Sequence, residues 1–277
     1  MTAHEFSRTA VVGALTVAYL ESGAGSPLIM IHGAESDRFQ FTGLREHLGA
    51  DIRALSYDQR DTGDTVGPEG RYSLADLADD VVGLIHALGL EKATVLGTSF
   101  GGMIAQQVAL NHPDVVDGLI LVATTPSSAL LAESTAPLVL LSEDERRLAM
   151  VDALLSPAGR ERDSELATRG RRVLARRTPE QSARRYAVMP EHETVERLRE
   201  VTTRVLLIHG SDDPITPLSG AELMAGLLRD AQLKVIEGGR HGIGTEFPDV
   251  IADHVRNFIF PNSVSASSPS TDSNGTA

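Results

Sequence analysis

Short apolar segments recur along this chain, and stretches with helical periodicity separate them. Most of these segments are nearly continuous in Ile, Leu, Val and Ala, which is typical of strands buried on both faces. Strands that alternate with helices predict right-handed crossovers, and therefore an α/β fold with a mainly parallel central sheet flanked by helices. The predicted strands are 28–31, 52–57, 93–96, 119–122, 205–208 and 233–236.

Two further elements follow from local patterns. Residues 10–20 alternate between apolar and polar side chains around Gly13, which predicts an antiparallel hairpin. Residues 73–89 place apolar side chains on one helical face, with Ser73 as the N-cap and Gly89 as the end. The hairpin therefore precedes the parallel strands, and this helix forms one crossover.

The strand–helix alternation breaks between about 125 and 200. This stretch holds 13 Arg and 13 acidic residues, so the rest of the chain carries the whole net charge of −13. We predict an α/β core of residues 1–124 and 201–260, a helical insertion of residues 125–200, and a disordered, Ser-rich tail of residues 261–277. The helices predicted in the insertion are 142–155, 161–177, 179–188 and 191–200.

Composition excludes several classes of protein. A net charge of −13 argues against general nucleic-acid binding, which needs a basic face. The chain has no cysteine, so disulfides and thiolate metal sites are excluded. No apolar run reaches the roughly 18 residues of a membrane-spanning helix, and the N-terminal residues lack a signal-peptide pattern. We therefore expect a cytoplasmic protein with a small-molecule partner, no metal and no cofactor, and the composition is compatible with a homodimer.

A serine lies between glycines where a predicted strand gives way to a helix. The sequence Gly97-Thr98-Ser99-Phe100-Gly101 follows strand 93–96 and precedes an amphipathic run that ends before Pro113. Glycines at such a turn relieve the crowding of a sharp, strained backbone. The arrangement is typical of an exposed nucleophile.

A nucleophilic serine needs a base, and the base needs an acid that orients it. In an open α/β sheet these groups gather at the carboxyl ends of strands. Strand 205–208 is followed by Asp212 and Asp213, and strand 233–236 is followed by His241. An acid and a histidine therefore come after Ser99 in chain order, each on a strand-end loop.

Five motifs together resemble the α/β-hydrolase-fold serine hydrolases, over roughly residues 10–260. The resemblance implies that Ser99 is the nucleophile, His241 the base and Asp213 the orienting acid, with Asp212 as the alternative acid. It implies an oxyanion hole made by the N–H groups of Ala34 and Phe100. It also implies that the insertion is a helical cap. The motifs are Ile31-His32-Gly33-Ala34, Tyr57-Asp58-Gln59-Arg60-Asp61-Thr62-Gly63, the Ser99 turn, Gly210-Ser211-Asp212-Asp213-Pro214 and Gly239-Arg240-His241-Gly242.

Other polar residues of these motifs have two interpretations each. His32 and Glu35 are candidate substrate contacts, although a hydrogen-bonded structural histidine and a solvated glutamate are the alternatives. His209 is expected to be structural, and Asp58 and Arg60 to brace their loop. Asp61 stands where the family motif usually has glycine.

The predicted cap carries four pairs of adjacent arginines. One arginine could bind a substrate carboxylate through its bidentate fork. The favoured interpretation is a solvated helix face on which Arg and Glu alternate. The pairs are Arg146-Arg147, Arg171-Arg172, Arg176-Arg177 and Arg184-Arg185.

The favoured function is therefore hydrolysis of a carboxylic ester, thioester or lactone through an acyl-enzyme. The alternatives are carbon–carbon bond hydrolysis of a diketone, a perhydrolase or cofactor-free oxygenase, and a non-catalytic ligand receptor of the same fold. The resemblance argues against carbon–carbon hydrolysis, because such members usually carry a tryptophan beside the histidine and this chain has none. Epoxide and haloalkane hydrolysis need an aspartate nucleophile, which Ser99 excludes.

Overall fold

The computed structural model describes residues 7–139, 149, 152–162 and 177–261. The described residues form one eight-stranded sheet. The predicted tail beyond residue 261 and much of the predicted helices 142–155 and 161–177 lie outside the described residues. The strands are β1 (Arg8–Val12), β2 (Leu15–Ser22), β3 (Ser26–Ile31), β4 (Ile52–Tyr57), β5 (Ala93–Thr98), β6 (Val116–Val122), β7 (Val205–Gly210) and β8 (Ala231–Ile236). They lie in the sheet in the order β1-β2-β4-β3-β5-β6-β7-β8.

The sheet is mainly parallel, as the alternation predicts. Strands β3 to β8 pair in parallel with one another, and β2 pairs antiparallel with both β1 and β4. The predicted hairpin is confirmed: Val12 pairs with Leu15 across a turn at Gly13, whose φ is +56°. The expectation that every predicted strand is buried on both faces is wrong for β8. It lies at the sheet edge, where only β7 pairs with it, and its Val235 is exposed.

Helices cover both faces of the sheet. One apolar cluster packs the helices that begin at Leu74, Phe100 and Leu218 against one face, and a second packs those that begin at Thr42 and Pro248 against the other. The predicted helix after Ser73 is confirmed, with a capping box between Ser73 and Asp76. The described helices are α1 (Thr42–Leu48), α2 (Leu74–Ala87), α3 (Phe100–Asn111), α4 (Ser128–Val139), α5 (Pro157–Arg162), α6 (Pro179–Ala187), α7 (Leu218–Leu227), α8 (Ile243–Glu246) and α9 (Pro248–Ile259). In this part of the chain no helix is long and apolar enough to cross a membrane.

The stretch predicted to be an insertion, residues 125–200, contributes α4, α5 and α6 and no strand of the sheet in its described part. The helix predicted at 179–188 is confirmed as α6. The helix predicted at 191–200 is wrong, because two short 3-10 turns, Met189–Glu191 and Val195–Glu200, replace it. Tertiary hydrogen bonds interrupt this stretch: the Thr194 hydroxyl donates to Gln106 Oε1 at 2.6 Å. Helix α4 was not expected from the sequence pattern.

Candidate active site

Ser99 occupies the strained turn between β5 and α3. Its φ of +54° and ψ of −120° lie in a region that residues other than glycine rarely adopt. Hydrogen bonds hold this conformation: the Ser99 N–H donates to the Val122 carbonyl at 3.0 Å, and the Thr124 hydroxyl donates to the Ser99 carbonyl at 2.7 Å. The strained turn leaves the Ser99 side chain only half-buried, although the residues beside it are buried.

The glycines around Ser99 are required by close backbone contacts. A Cβ atom on Gly97 would lie 2.2 Å from the Gly101 carbonyl oxygen. A Cβ atom on Gly101 would lie 2.1 Å from the carbonyl oxygen of Ile31 in β3. Neither neighbour is a flexible side chain, so the backbone itself would have to move. The glycine spacing of the motif therefore follows from how closely α3 approaches the sheet.

We expect Gly97→Ala to lower the free energy of unfolding by about 3 kcal/mol, because the added methyl group overlaps backbone atoms. Urea unfolding followed by circular dichroism measures this change. The matched control is Gly226→Ala in α7, where an added Cβ meets no atom within 4 Å. That variant should be more stable by about 0.5–1 kcal/mol. Equal stability of Gly97→Ala and the native chain would contradict this account of the turn.

Ser99, His241 and Asp213 form one chain of hydrogen bonds. His241 Nε2 lies 3.0 Å from Ser99 Oγ, and His241 Nδ1 lies 2.9 Å from Asp213 Oδ2. The three residues come from loops that follow β5, β8 and β7, at the same edge of the sheet. A carboxylate on Nδ1 leaves Nε2 to accept the serine proton, which is the arrangement that activates a hydroxyl as a nucleophile.

The geometry distinguishes Asp213 from its neighbour. The side chain of Asp213 is fully buried, whereas Asp212 is exposed and accepts a hydrogen bond from the Ser211 hydroxyl. Asp213 Oδ1 also accepts the backbone N–H groups of Ile215 and Thr216 at 2.8 and 2.9 Å. Of the two candidate acids, Asp213 is therefore the one that His241 contacts.

Asp213 is held as a carboxylate. Burial alone would raise its pKa, but the nearby His241 and the donated hydrogen bonds outweigh burial and lower the pKa from 3.8 to about 2. The Thr216 hydroxyl adds a bond of 2.9 Å to Oδ2. His209 is buried behind this loop, where its Nε2–H donates to the Thr216 carbonyl at 2.6 Å. This is the structural role expected for His209.

The loop after β3 passes beside Ser99. A Cβ atom built on Gly33 would lie 3.6 Å from the Ser99 Cβ, and the Gly33 N–H donates to Gln40 Oε1 at 2.8 Å. Phe100 is the first residue of α3, so its N–H has no acceptor within the helix. The structure thus brings the segment of Ala34 and the N-terminus of α3 to the same serine.

A model of the alpha/beta hydrolase fold matches residues 26–248. The chain belongs to the alpha/beta hydrolase fold family. It is 27% identical over 276 residues to the 2-(acetamidomethylene)succinate hydrolase of Mesorhizobium japonicum, covering 92% of this chain and 96% of that protein. It is 26% identical over 258 residues to a 2-hydroxymuconate semialdehyde hydrolase of Pseudomonas putida, covering 86% and 89%. A hydrolase from Pseudomonas aeruginosa PA01 has a similar structure, with a TM-score of 0.79, 26% identity and coverage of 94% and 100%.

This protein is therefore a hydrolase, as the resemblance implies. The non-catalytic receptor considered from the sequence is not supported. Among the described residues, no group of three or more His, Asp or Glu side chains is arranged to hold a metal ion.

The two candidate substrate contacts of the hydrolase differ in exposure. His32 is fully buried, its Nδ1–H donates to the Gly33 carbonyl at 2.8 Å, and its Nε2 accepts the Gln59 N–H at 3.4 Å. Burial, together with the charge of Arg185, keeps the pKa of His32 well below its usual range, so the ring is neutral. These contacts favour the structural interpretation of His32. Glu35 has a side chain 44% exposed and lies 3.8 Å from Arg177, so it stays a candidate at the rim.

The loop after β4 is braced by ion pairs, as expected for Asp58 and Arg60. Asp58 binds the Arg38 side chain and accepts the Asp64 N–H at 2.8 Å. Arg60 binds Asp80 of α2 through two hydrogen bonds of 2.5 and 2.8 Å. Asp61 has a left-handed backbone conformation, with φ of +57°, which is a region that favours glycine.

The prediction of solvated arginines is wrong for the three residues of those pairs that the structure describes. Arg184 binds both carboxylate oxygens of Asp61, at 2.8 and 2.7 Å. The Arg177 side chain is 3% exposed and donates to the carbonyls of Asp61 and Ser36. Arg185 is fully buried. All three bind loops of the α/β core that are distant in the sequence, so the residues around these arginines could not predict the contacts. The paired arginines that lie outside the described residues are Arg146, Arg147, Arg171, Arg172 and Arg176.

The insertion also contacts the histidine loop, which the sequence did not reveal. The His241 N–H donates to the Ala153 carbonyl at 3.0 Å, and the Gly242 N–H donates to the Leu154 carbonyl at 2.8 Å. Next to them, the Ser156 N–H donates to the Glu246 carboxylate at 2.8 Å. The insertion thus supports both the loop of His241 and the loop of Ala34. Hydrogen bonds between backbone groups do not depend on residue type, so no sequence pattern could have predicted these contacts.

Proposed function

We propose that this hydrolase cleaves a carboxylic ester, thioester or lactone of a small molecule through an acyl-enzyme on Ser99. The observation that carries the proposal is the hydrogen-bond chain from Ser99 Oγ through His241 to the buried carboxylate of Asp213. This chain supplies a nucleophile, a base and an orienting acid in contact with one another. A cytoplasmic location of the protein remains a prediction from the sequence.

In the first step, Ser99 Oγ attacks the acyl carbonyl carbon while His241 Nε2 takes the hydroxyl proton. The carbonyl oxygen becomes an oxyanion, and Asp213 stabilises the imidazolium that forms. His241 then gives its proton to the leaving alcohol, thiol or ring oxygen as the bond to the acyl carbon breaks.

We assign the oxyanion hole to the N–H groups of Ala34 and Phe100. Donors that already point at the developing charge need no reorganisation, and the loss of one donor typically costs about 2.7–4 kcal/mol of transition-state stabilisation. The N-terminus of α3 adds a favourable dipole for this negative charge.

In the second step, His241 Nε2 takes a proton from water as the water oxygen attacks the acyl carbon. The tetrahedral intermediate again places its oxyanion in the same hole. Its collapse breaks the bond to Ser99 Oγ, His241 returns the proton to that oxygen, and the carboxylic acid is released. One set of residues therefore serves both halves of the reaction.

The competing function is hydrolysis of a carbon–carbon bond on the same residues. The similarity to a 2-hydroxymuconate semialdehyde hydrolase favours it, because that named substrate contains no ester for water to cleave. The absence of tryptophan from the chain favours acyl hydrolysis instead. The two functions differ in the leaving group, which is carbon in one and oxygen or sulfur in the other.

A substrate panel separates the two functions. Purified protein is assayed with p-nitrophenyl acetate and butyrate, a γ-lactone, a thioester and 2-hydroxymuconate semialdehyde. We expect saturable hydrolysis of at least one acyl compound, which Ser99→Ala abolishes. Turnover of the semialdehyde alone would contradict acyl hydrolysis and leave the carbon–carbon function.

A further inference from the structure

One arginine of the insertion contacts both segments that we assign to the oxyanion hole. Arg185, on α6, donates from Nε to the Ala34 carbonyl at 2.7 Å and from Nη2 to the Gly33 carbonyl at 3.2 Å. Its guanidinium carbon also lies 4.6 Å from the centre of the Phe100 ring. A single cap side chain therefore joins the loop after β3 to the first residue of α3.

The burial of Arg185 is energetically unfavourable and needs a reason. The residue is 0% exposed, its Nη1 has no hydrogen-bond partner, and no carboxylate of the described residues forms an ion pair with it. Burial lowers the pKa of Arg185 to about 9. Burying a cation without a counter-charge disfavours folding. The arginine is thus placed at a site where its charge is poorly compensated.

Attachment of α6 to the core does not explain this burial. The adjacent Arg184 already binds Asp61 of the core through both carboxylate oxygens. Arg177, just before α6, binds the carbonyls of Asp61 and Ser36 as well. A neutral side chain at 185 would leave those contacts in place. What Arg185 adds is its contact with the two carbonyls beside Ser99 and with the Gln59 side chain, to whose Oε1 its Nη2 donates at 2.8 Å.

Holding the Gly33 carbonyl fixes the direction of the Ala34 N–H. The two groups belong to the same planar trans peptide, in which C=O and N–H point in opposite directions. Arg185 Nη2, His32 Nδ1 and the Ser36 N–H all donate to the Gly33 carbonyl, so the N–H of Ala34 must face away from them. A cation on the carbonyl also polarises the peptide, which strengthens the N–H as a donor.

We propose that Arg185 is a positioning residue of the oxyanion hole, which aims and polarises the Ala34 N–H through the Gly33 carbonyl. The proposal rests on the acyl-hydrolase function proposed above. It makes the oxyanion hole dependent on the insertion, because the aiming group lies on α6 rather than on the core. Arg185 acts through the backbone and touches no reacting atom.

The test compares Arg185→Met and Arg185→Lys with the matched control Arg184→Met. Arg184→Met removes a cap–core ion pair from the same helix but leaves the Gly33 and Ala34 carbonyls bound. Each variant is checked by circular dichroism and thermal unfolding. Values of kcat and KM are measured with p-nitrophenyl butyrate, and Ki is measured with an alkyl trifluoromethyl ketone. In that inhibitor Ser99 Oγ adds to the ketone carbon, the proton passes to His241, and the oxygen becomes an oxyanion.

For Arg185→Met we expect kcat to fall about 10- to 100-fold with KM nearly unchanged, because the oxyanion forms only in the transition state. The Ki of the trifluoromethyl ketone should rise by a similar factor. Arg185→Lys should recover part of both losses, because one ammonium group cannot reproduce the two-carbonyl contact. Arg184→Met should change kcat and Ki no more than about threefold, even if its melting temperature falls as much as that of Arg185→Met.

Three results would overturn the proposal. The first is an unchanged kcat and Ki in folded Arg185→Met, or in Arg185→Lys if the methionine variant does not fold. The second is an equal rise in Ki for Arg184→Met, which would assign the effect to docking of α6. The third is a wild-type protein that neither hydrolyses the ester nor binds the ketone, which would overturn the acyl-hydrolase function together with this proposal. An active wild type with an insensitive Arg185 overturns this proposal alone.

Discussion

Replacing Ser99 with alanine should lower kcat for the best acyl substrate by about 10⁵- to 10⁶-fold, the scale seen when a triad serine is removed. Without the hydroxyl, no acyl-enzyme can form, and His241 has no proton to take from the enzyme. The side chain contributes no packing that alanine would lose beyond one oxygen, so folding should be preserved. Steady-state assays with the panel substrates, on protein purified free of host esterases, measure the effect.

Ser36→Ala is the matched control for this substitution. Ser36 lies in the loop after β3, and its buried hydroxyl has no hydrogen-bond partner. Removing that oxygen should leave kcat within about threefold of the native value, in line with the small effects of most substitutions away from key contacts. Residual activity of Ser99→Ala above a few per cent would mean that another group is the nucleophile.

Replacing Asp213 with asparagine should lower kcat by about 10⁴-fold, because an amide donating to His241 Nδ1 selects the wrong imidazole tautomer. Nε2 would then carry the proton and could not accept one from Ser99. Oδ1 of Asp213 also accepts the N–H groups of Ile215 and Thr216, and the amide oxygen at that position can keep accepting both of them. We therefore expect a folded and nearly inactive enzyme.

Asp212→Asn is the control, because it makes the same chemical change at the adjacent, exposed residue. Its kcat should stay within about threefold of the native value. Measuring kcat for both variants decides which aspartate orients His241. A large loss in Asp212→Asn with a small loss in Asp213→Asn would reverse the assignment.

The sheet and the order of the site residues follow from local patterns. Strand segments such as 93–96 and 205–208 are apolar enough to identify a buried sheet without further information. In a parallel sheet, the residues that follow such strands gather at one edge. The closeness of Ser99, Asp213 and His241 was therefore predictable, although they are up to 142 positions apart in the chain.

Details that depend on distant contacts were not predictable. The choice between Asp212 and Asp213 depends on the turn after β7, which buries Asp213 against Thr216 and leaves Asp212 exposed. The burial of Arg185 depends on carbonyls 151 and 152 positions earlier in the chain, whereas the α6 sequence itself is charged and predicts a solvated face. The exposure of β8 follows its position at the edge of the sheet. The sequence pattern of a single strand does not show which strands lie beside it, so this position was not predictable.

The role of Ser99 is tested most directly by covalent labelling with a fluorophosphonate. The serine oxygen attacks phosphorus, fluoride leaves, and His241 takes the hydroxyl proton, so the adduct requires both residues. We expect one adduct per chain by intact-protein mass spectrometry, located at Ser99 by peptide mapping and absent from Ser99→Ala. A folded native protein that gains no adduct, or gains it at another residue, would contradict the account.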